Sequence, residues 1–419
     1  DAAPASDLAA VAEHTGRGIE VTAMEPLRIP LSRPDIGDEE RKEVLAVLDT
    51  PWLSMGPKVE AFERQFAAVV GARHAVAVSS GTAGLHLALR AVGVGAGDEV
   101  LTTPFTFVAT ANVVLMERAR PVFVDVDPQT LNLDPATVEA HVDRAYAARD
   151  GTLVHRVTGA PLRAILPVAV FGHPVDMDGF ARVRDRCGLP IVHDACEALG
   201  SRYWSAAREA WVSEAALADA AVYAFYPNKQ ITTGEGGMVV TSDDGIARAC
   251  RVGRNQGRDP DAEWLAHETL GFNYRMDELS AALGLAQLRR LPILLARRRQ
   301  VAAWYDARLA DVPEVVRPAA APWAEVSWFV YVIRLPSPEV RDAALRHLLS
   351  RGIGARPYFP AVHLFRHLRA LGYAPGDFPV AEAAALRGLA LPFFPGLTQE
   401  EVDHVVRTLK EALALRAAV

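Results

Sequence analysis

Residues 75–92 read AVAVSSGTAGLHLALRAV, and this stretch decides the fold class. An apolar run ends at Ser79, and helical periodicity follows it. A short buried strand that leads at once into a helix is the unit from which α/β proteins are built. The helix is expected to open near Ala83, so the amides of Gly81, Thr82 and Ala83 would lie at a helix N-terminus, where an anion such as phosphate is favoured. An ordinary capped turn would explain the same residues.

The alternation of apolar strands and helices continues along the chain. Strands are predicted at 75–80, 99–104, 121–127, 164–172 and 190–195, and helices at 57–70, 84–92, 107–116 and 179–188. The strands are apolar throughout instead of alternating with polar residues, which is typical of a parallel sheet covered on both faces. The prediction is an α/β fold with a mostly parallel central sheet.

The pattern changes after about residue 243, where longer helices begin. A helix is expected over 277–309 with a break at Pro292, and a strand and a helix follow at 328–336 and 341–353. This composition favours a second, smaller domain. The expected organisation is an N-terminal tail (1–25), a large domain (26–290) and a small C-terminal α+β domain (291–419).

Composition and charge narrow the classes of function. The chain has 419 residues and a formal net charge of −7, which disfavours a general nucleic-acid-binding protein because such a protein needs a basic face. Its three cysteines are too few for a disulfide framework, and no apolar run has the length that a membrane span requires. A cytoplasmic protein that binds neither nucleic acid nor membrane is the expectation.

Two further motifs carry residues suited to chemistry. Asp194 ends an apolar strand, at the edge of the sheet where α/β proteins bind ligands, and its carboxylate is suited to pairing with a cationic ring nitrogen. Lys229 follows another apolar stretch and precedes a glycine-rich turn, where a lysine is uncommon unless its amine is used. A helix-capping aspartate and a solvent-facing lysine are the plainer alternatives.

The three motifs in this order resemble fold-type-I enzymes that use pyridoxal phosphate (PLP). The stretches HDACEALGS (193–201), NKQITTGEGG (228–237) and GFNYRMDELSAALGLAQL (271–288) are similar to the DegT/DnrJ/EryC1/StrS sugar aminotransferase family. The resemblance runs from about residue 28 to the C-terminus. Within the family, the first two stretches most resemble perosamine-synthase-like enzymes, which aminate C4 of nucleotide-linked 4-keto-6-deoxy sugars.

The resemblance implies a role for individual residues. Lys229 would form the internal Schiff base with PLP and act as the catalytic base, and Asp194 would hydrogen-bond the pyridinium nitrogen. The other implied cofactor-binding residues are Gly81 and Thr82 at the phosphate, Phe107 stacked on the ring, and Asn273, which relatives contribute to the phosphate from the neighbouring subunit of a homodimer.

Two positions depart from the pattern of many relatives. Ala224 stands where many relatives have a phosphate-binding serine, so that contact is either lost or replaced by one from Asn228. Glu197 stands where many relatives have Gln or His near the ring oxygen. A carboxylate there would be repelled by an anionic oxygen unless it is protonated or reoriented, so Glu197 belongs to the expected cofactor site without an assigned role.

The function implied by the resemblance is transfer of an amino group, expected from glutamate, to a nucleotide-linked 4-keto-6-deoxy sugar. A keto-cyclitol (inosose-type) aminotransferase of antibiotic biosynthesis shares the core motifs, and a PLP-binding regulator without turnover is a third class. No metal site is expected, because His363 and His367 have metal-ligand spacing but no evident third ligand.

Overall fold

The computed structural model describes residues 28–259, 266–267 and 269–417. The helices are α1 (Asp38–Leu48), α2 (Pro57–Val70), α3 (Gly81–Ala91), α4 (Ala109–Met116), α5 (Pro135–Ala145), α6 (Met177–Cys187), α7 (Asp244–Arg254), α8 (Glu278–Leu309), α9 (Pro338–Ser350), α10 (Arg366–Arg369), α11 (Pro379–Arg387) and α12 (Gln399–Ala417). The strands are β1 (His74–Val78), β2 (Glu99–Thr102), β3 (Arg120–Phe123), β4 (Tyr146–Arg149), β5 (Thr152–His155), β6 (Leu162–Ile165), β7 (Val192–Asp194), β8 (Arg202–Ser205), β9 (Ala210–Val212), β10 (Ala220–Ala224), β11 (Gly237–Thr241), β12 (Ala324–Glu325), β13 (Tyr331–Arg334) and β14 (Gly388–Leu391). The N-terminal tail expected at residues 1–25 lies outside the described residues.

A mostly parallel sheet forms the centre of the protein, as predicted. The strands β1, β11, β10 and β7 form one ladder, and β6, β2 and β3 form another. Parallel bridges from Ile165 to Ile191 and from Val168 to Asp194 join β6 to β7, so the two ladders continue each other. In the combined order β1-β11-β10-β7-β6-β2-β3, only β11 runs antiparallel to its neighbours. The carboxyl ends of β7 and β10 therefore meet at one edge.

Helices cover both faces of this sheet, which explains why its strands are apolar throughout. In β1, Ala75 and Ala77 face a core shared with α2 and α8, whereas Val76 and Val78 face a core shared with α3 and α7. All five residues of β11 are buried. Burial on both faces removes the need for alternating polar residues.

The long helix α8 runs through Pro292 without interruption, so the predicted break is wrong. Pro292 is exposed, and its ring faces away from the packed side of the helix. By length and composition alone α8 could cross a membrane, but half of its most apolar window is buried in the protein, and core helices of soluble proteins pass the same test.

The C-terminal part is built on the antiparallel pair of β13 and β14, with α9 and α12 packed against it, as expected for an α+β unit. Its core takes in Tyr305 from the second half of α8 and also Ile29, whose backbone pairs with Ile353. The expected boundary at residue 290 lies inside α8, and the domain limits stay a prediction.

The helix after β1 begins two residues earlier than expected. Ser80 is its N-cap, and the Ser80 hydroxyl accepts a hydrogen bond from the Ala83 amide at 3.1 Å. Ala83 is therefore already capped, contrary to the prediction that its amide is open to a ligand. The amides of Gly81 and Thr82 occupy the first turn, where no intrahelical acceptor is available.

Candidate active site

A narrow cradle lies where β1 turns into α3. A Cβ atom added to Gly81 would lie 2.7 Å from the Ala224 Cβ and 2.9 Å from the Cys196 Sγ, so only glycine fits between them. Gly237 approaches in the same way, because a Cβ there would lie 2.6 Å from the backbone of Ser80. The helix N-terminus is thus brought against the end of β10 and the start of β11.

Asp194 lies at the end of β7 with both carboxylate oxygens occupied. Its Oδ2 accepts a 2.7 Å hydrogen bond from the Thr110 hydroxyl, and its Oδ1 accepts one of 3.1 Å from the Cys196 amide. The Thr110 hydroxyl in turn contacts that of Thr106 at 2.8 Å. Asp194 is only 5% exposed. These contacts fix the direction of a buried carboxylate, which needs such partners.

Lys229 reaches the same edge from the turn between β10 and β11. Its Nζ lies 3.3 Å from Glu197 Oε1 and 3.9 Å from the centre of the Phe329 ring. The other carboxylate oxygen of Glu197 accepts the Phe171 amide at 2.9 Å. Burial raises the pKa of Glu197, although the Lys229 amine and the Phe171 amide favour its charged form. The Lys229 amine and the Glu197 carboxyl group are thus in direct contact.

The cradle, the aspartate and the lysine form one cluster because Cys196 links them. Cys196 touches the cradle with its sulfur and Asp194 with its amide, and Glu197 follows it directly in the chain. Residues that are far apart in sequence thus place a helix N-terminus, a buried carboxylate and a primary amine close together. This set fits a group that carries a phosphate, a cationic ring nitrogen and an aldehyde.

The model of the DegT/DnrJ/EryC1/StrS aminotransferase family matches residues 34–410. The chain belongs to this family. It is similar to GDP-perosamine synthase from Caulobacter vibrioides, with 38% identity over 393 residues that cover 92% of this chain and 98% of that protein.

Solved structures of the same family have the same fold. DesV of S. venezuelae, determined in complex with a ketimine intermediate, superposes with a TM-score of 0.81 at 34% identity and covers 92% of this chain and 98% of its own. 3-Amino-5-hydroxybenzoic acid (AHBA) synthase gives a TM-score of 0.81 at 29% identity, over 93% and 100% of the two chains. Family and neighbours establish a fold-type-I enzyme, a PLP-dependent sugar aminotransferase.

Three residues expected in the PLP site remain outside the cluster of contacts. Phe107 is 60% exposed just before α4, and its carbonyl accepts the Thr110 amide, which places it close to the Asp194 side of the site. Asn273 is exposed, and its backbone pairs with Asn255. The carbonyl of Asn228 accepts a hydrogen bond from Arg298. Their predicted contacts with the cofactor stay predictions.

Several residues of the site were not predicted from the sequence. Thr110, Phe171, Arg298 and Phe329 come from separate elements and meet the cluster only in the folded chain. Thr110 alone had a local sign, since it lies in a threonine-rich stretch, TTPFTFVAT (102–110), that follows a strand.

His363 and His367, considered as metal ligands in the sequence, have different partners. His363 is buried and its Nε2 lies 3.1 Å from Glu382, whereas the Nε2 of His367 lies 2.8 Å from Asn112 on α4. The two rings therefore contact different side chains.

Proposed function

We propose that this enzyme transfers an amino group from glutamate to C4 of a nucleotide-linked 4-keto-6-deoxy sugar. The observation that carries the proposal is the similarity to GDP-perosamine synthase, which extends over almost the whole length of both chains. The name of that relative denotes the synthesis of an amino sugar linked to a nucleotide. The stretches around Glu197 and Lys229 are the ones in which the sequence most resembles such enzymes.

The cofactor residues follow from the cluster. PLP supplies an aldehyde that joins an amine covalently and a ring that accepts electrons from the carbon next to that amine. Lys229 is the proposed attachment residue, Asp194 the proposed partner of the ring nitrogen, and Gly81 and Thr82 the proposed phosphate ligands. The carboxylate of Asp194 suits this role, since two hydrogen bonds hold it in one direction.

Proton transfer is assigned to the side chain of Lys229. Once the donor's amine has displaced it from the cofactor, the freed Lys229 amine would be the group that moves a proton from the donor's α-carbon. Glu197 supports this role, because its Oε1 accepts a hydrogen bond from the Lys229 amine at 3.3 Å and the Phe171 amide holds its Oε2 in place.

We propose further that the enzyme is a cytoplasmic homodimer with shared sites. Asn273 is exposed, as a residue that reaches a neighbouring subunit must be. A second sign is an exposed group of large apolar side chains at the end of α1 and in the following loop, here called the α1–α2 patch: Leu45, Leu48, Trp52, Leu53 and Met55. Contiguous apolar side chains of this size are uncommon on the surface of a monomer.

A second candidate acceptor is a carbocyclic ketone that carries no nucleotide. The similarity to AHBA synthase, whose product is a small ring compound, favours it. The proposed cofactor residues would be the same for both acceptors, so they do not decide between them. An experiment must distinguish the two acceptors.

The test follows the absorption spectrum of the purified enzyme with PLP. Glutamate alone should convert the bound cofactor to its amine form, and a nucleotide-linked 4-keto-6-deoxy sugar should restore the original spectrum quickly. Keto-cyclitols of matched concentration serve as the control acceptor. Restoration by the cyclitol and not by any nucleotide sugar would replace the first candidate by the second.

A further inference from the structure

Arg298, on the buried side of α8, is an arginine without an acidic partner. It is 3% exposed, and burial lowers the pKa of its guanidinium to about 10, so it remains charged at neutral pH. Among the residues that the structure describes, no carboxylate forms an ion pair with it. A buried cation is costly unless its donors are satisfied, and buried arginines are normally paired. A salt bridge within the described residues therefore does not explain the buried charge of Arg298.

Four backbone carbonyl groups accept hydrogen bonds from the two terminal nitrogens of Arg298, whereas its Nε has no hydrogen-bond partner among the described residues. Nη2 donates to the carbonyls of Lys229 at 2.7 Å and Asn228 at 3.3 Å. Nη1 donates to the carbonyls of Phe329 at 3.1 Å and Trp328 at 3.2 Å. One planar guanidinium therefore joins the turn that carries the proposed cofactor lysine to the segment around Phe329, which lies 100 residues further along the chain. The fork of an arginine is suited to this, because its donors are fixed relative to one another.

The two joined segments meet again at the lysine amine. Phe329 belongs to the second segment, and the centre of its ring lies 3.9 Å from Lys229 Nζ. The guanidinium thus fixes the backbone on both sides of this contact. A shift of either segment would change the distance between the amine and the ring.

The second segment adopts a backbone conformation that needs support. Trp328 has φ of 55° and Phe171, which faces it, has φ of 58°, both in the left-handed region that side chains disfavour. Two backbone hydrogen bonds join these turns, from Phe329 to the Phe171 carbonyl and from Ser327 to the Gly172 carbonyl. Such conformations persist where surrounding contacts hold them, and they cluster at functional sites.

A second buried side chain makes a parallel connection. The Gln230 amide donates from the residue after Lys229 to the Ser327 hydroxyl at 2.9 Å and also to the Glu197 carbonyl. The lysine, its carboxyl partner and the 327–329 segment are therefore tied together at two points. Arg298 supplies the tie on the lysine's own backbone.

We propose that Arg298 is a positioning residue that sets the place of the Lys229 amine by fixing the lysine turn to the Phe329 segment. The inference rests on the proposed function in one respect, namely that Lys229 is the reactive amine. The guanidinium of Arg298 keeps four carbonyl groups in a single arrangement, which an apolar side chain of the same volume cannot do. Loss of the fork should displace the amine while leaving the fold in place.

The test compares the reactivity of individual lysines in the full-length chain freed of PLP. The chain has four lysines, Lys42, Lys58, Lys229 and Lys410, so acetylation by a limiting amount of acetic anhydride can be quantified for each by mass spectrometry. Arg298→Lys keeps the charge but not the fork, and Arg298→Met removes both. Arg297→Lys is the matched control, because Arg297 is the next residue on α8 and its side chain is half exposed and paired with Asp35.

Both Arg298 variants should raise the acetylation of Lys229 relative to the exposed Lys42 by about threefold or more, while Lys58 and Lys410 keep their ratios. In the PLP-loaded enzyme, kcat should fall by about 10- to 100-fold with the KM for glutamate nearly unchanged, since misplacement of a reacting group costs that much. Arg297→Lys should behave like the parent. If Arg298→Met fails to fold, Arg298→Lys carries the test.

An unchanged Lys229 ratio in Arg298→Lys would overturn the proposal, and so would a common rise of all four lysines, which would indicate general loosening. The result is separable from the proposed function. If PLP proved to attach elsewhere, the acetylation of the PLP-free chain would still report whether Arg298 places the Lys229 amine.

Discussion

Asp194 is oriented by a hydroxyl group that the sequence did not single out. The Thr110 hydroxyl donates to one carboxylate oxygen at 2.7 Å, and a hydrogen bond to a charged group contributes about 1.5–3 kcal/mol. Thr110→Val should therefore lower kcat/KM by about 10- to 100-fold, measured by steady-state kinetics, without a large change in the melting temperature. Thr106→Val is the control, because Thr106 contacts the Thr110 hydroxyl but not the carboxylate. Equal losses in both variants would refute the direct role of Thr110.

Glu197 should make stability depend on pH. Burial raises its pKa in the folded chain, so the folded state binds this proton more tightly than the unfolded state does. The contribution to stability is complete below the ordinary carboxyl pKa of about 4.3 and is lost as pH rises through the folded value. In the PLP-free protein, Glu197→Gln should gain stability relative to the parent as pH rises above about 4.3, measured by urea unfolding over a series of pH values. A difference that shrinks over this range would contradict the assignment.

Among individual residues, the sequence singled out those that lie in a recognisable motif and missed those that lie outside any motif. The sequence singled out Asp194, which ends β7, and Lys229, which lies in the turn after β10, because each follows an apolar stretch and belongs to a distinctive motif. Arg298 lies in a helix and Phe329 in a segment that have no distinctive sequence motif. Only tertiary contacts bring the two residues to the lysine.

The junction of β1 and α3 is the element proposed to bind the phosphate of PLP. A methyl group at Gly81 would overlap with Ala224 and Cys196, and overpacking of this kind costs about 1–3 kcal/mol. Gly81→Ala should therefore weaken PLP binding by about 10-fold or more, measured by titration of absorbance, because α3 must move away from the site. Gly95→Ala, at a position where an added Cβ meets nothing within 4 Å, should bind PLP like the parent. Normal affinity in Gly81→Ala would place the phosphate elsewhere.

Elements were predicted well where apolar periodicity was strong and less well at their ends. The strands and helices of the central sheet were expected in the right order, because burial on both faces leaves a clear apolar signature. The start of α3 was misplaced, since Ser80 caps it through a side-chain contact that periodicity does not register. The break expected at Pro292 is absent because the proline lies on the exposed side of α8, where packing of the other side holds the helix together.

For the whole molecule, the α1–α2 patch should determine the assembly. Burying one large apolar side chain contributes about 1.5–3 kcal/mol. Replacing two of these side chains by charged ones should therefore remove a large part of the free energy that holds the dimer together. The double variant Leu48→Lys/Leu53→Lys should shift the protein from dimer to monomer in light scattering. Leu415→Lys, an equally exposed leucine on α12, is the control and should stay dimeric. A double variant that remains a dimer would remove the patch from the proposed interface.

Attachment of PLP to Lys229 can be measured directly. The PLP-loaded enzyme is reduced with borohydride, digested with trypsin and analysed by mass spectrometry. Trypsin does not cleave after a modified lysine, so we expect a single peptide of residues 209–248 that carries the reduced cofactor on Lys229. Recovery of the unmodified peptides on either side of Lys229, with the cofactor on another lysine or on none, would contradict it.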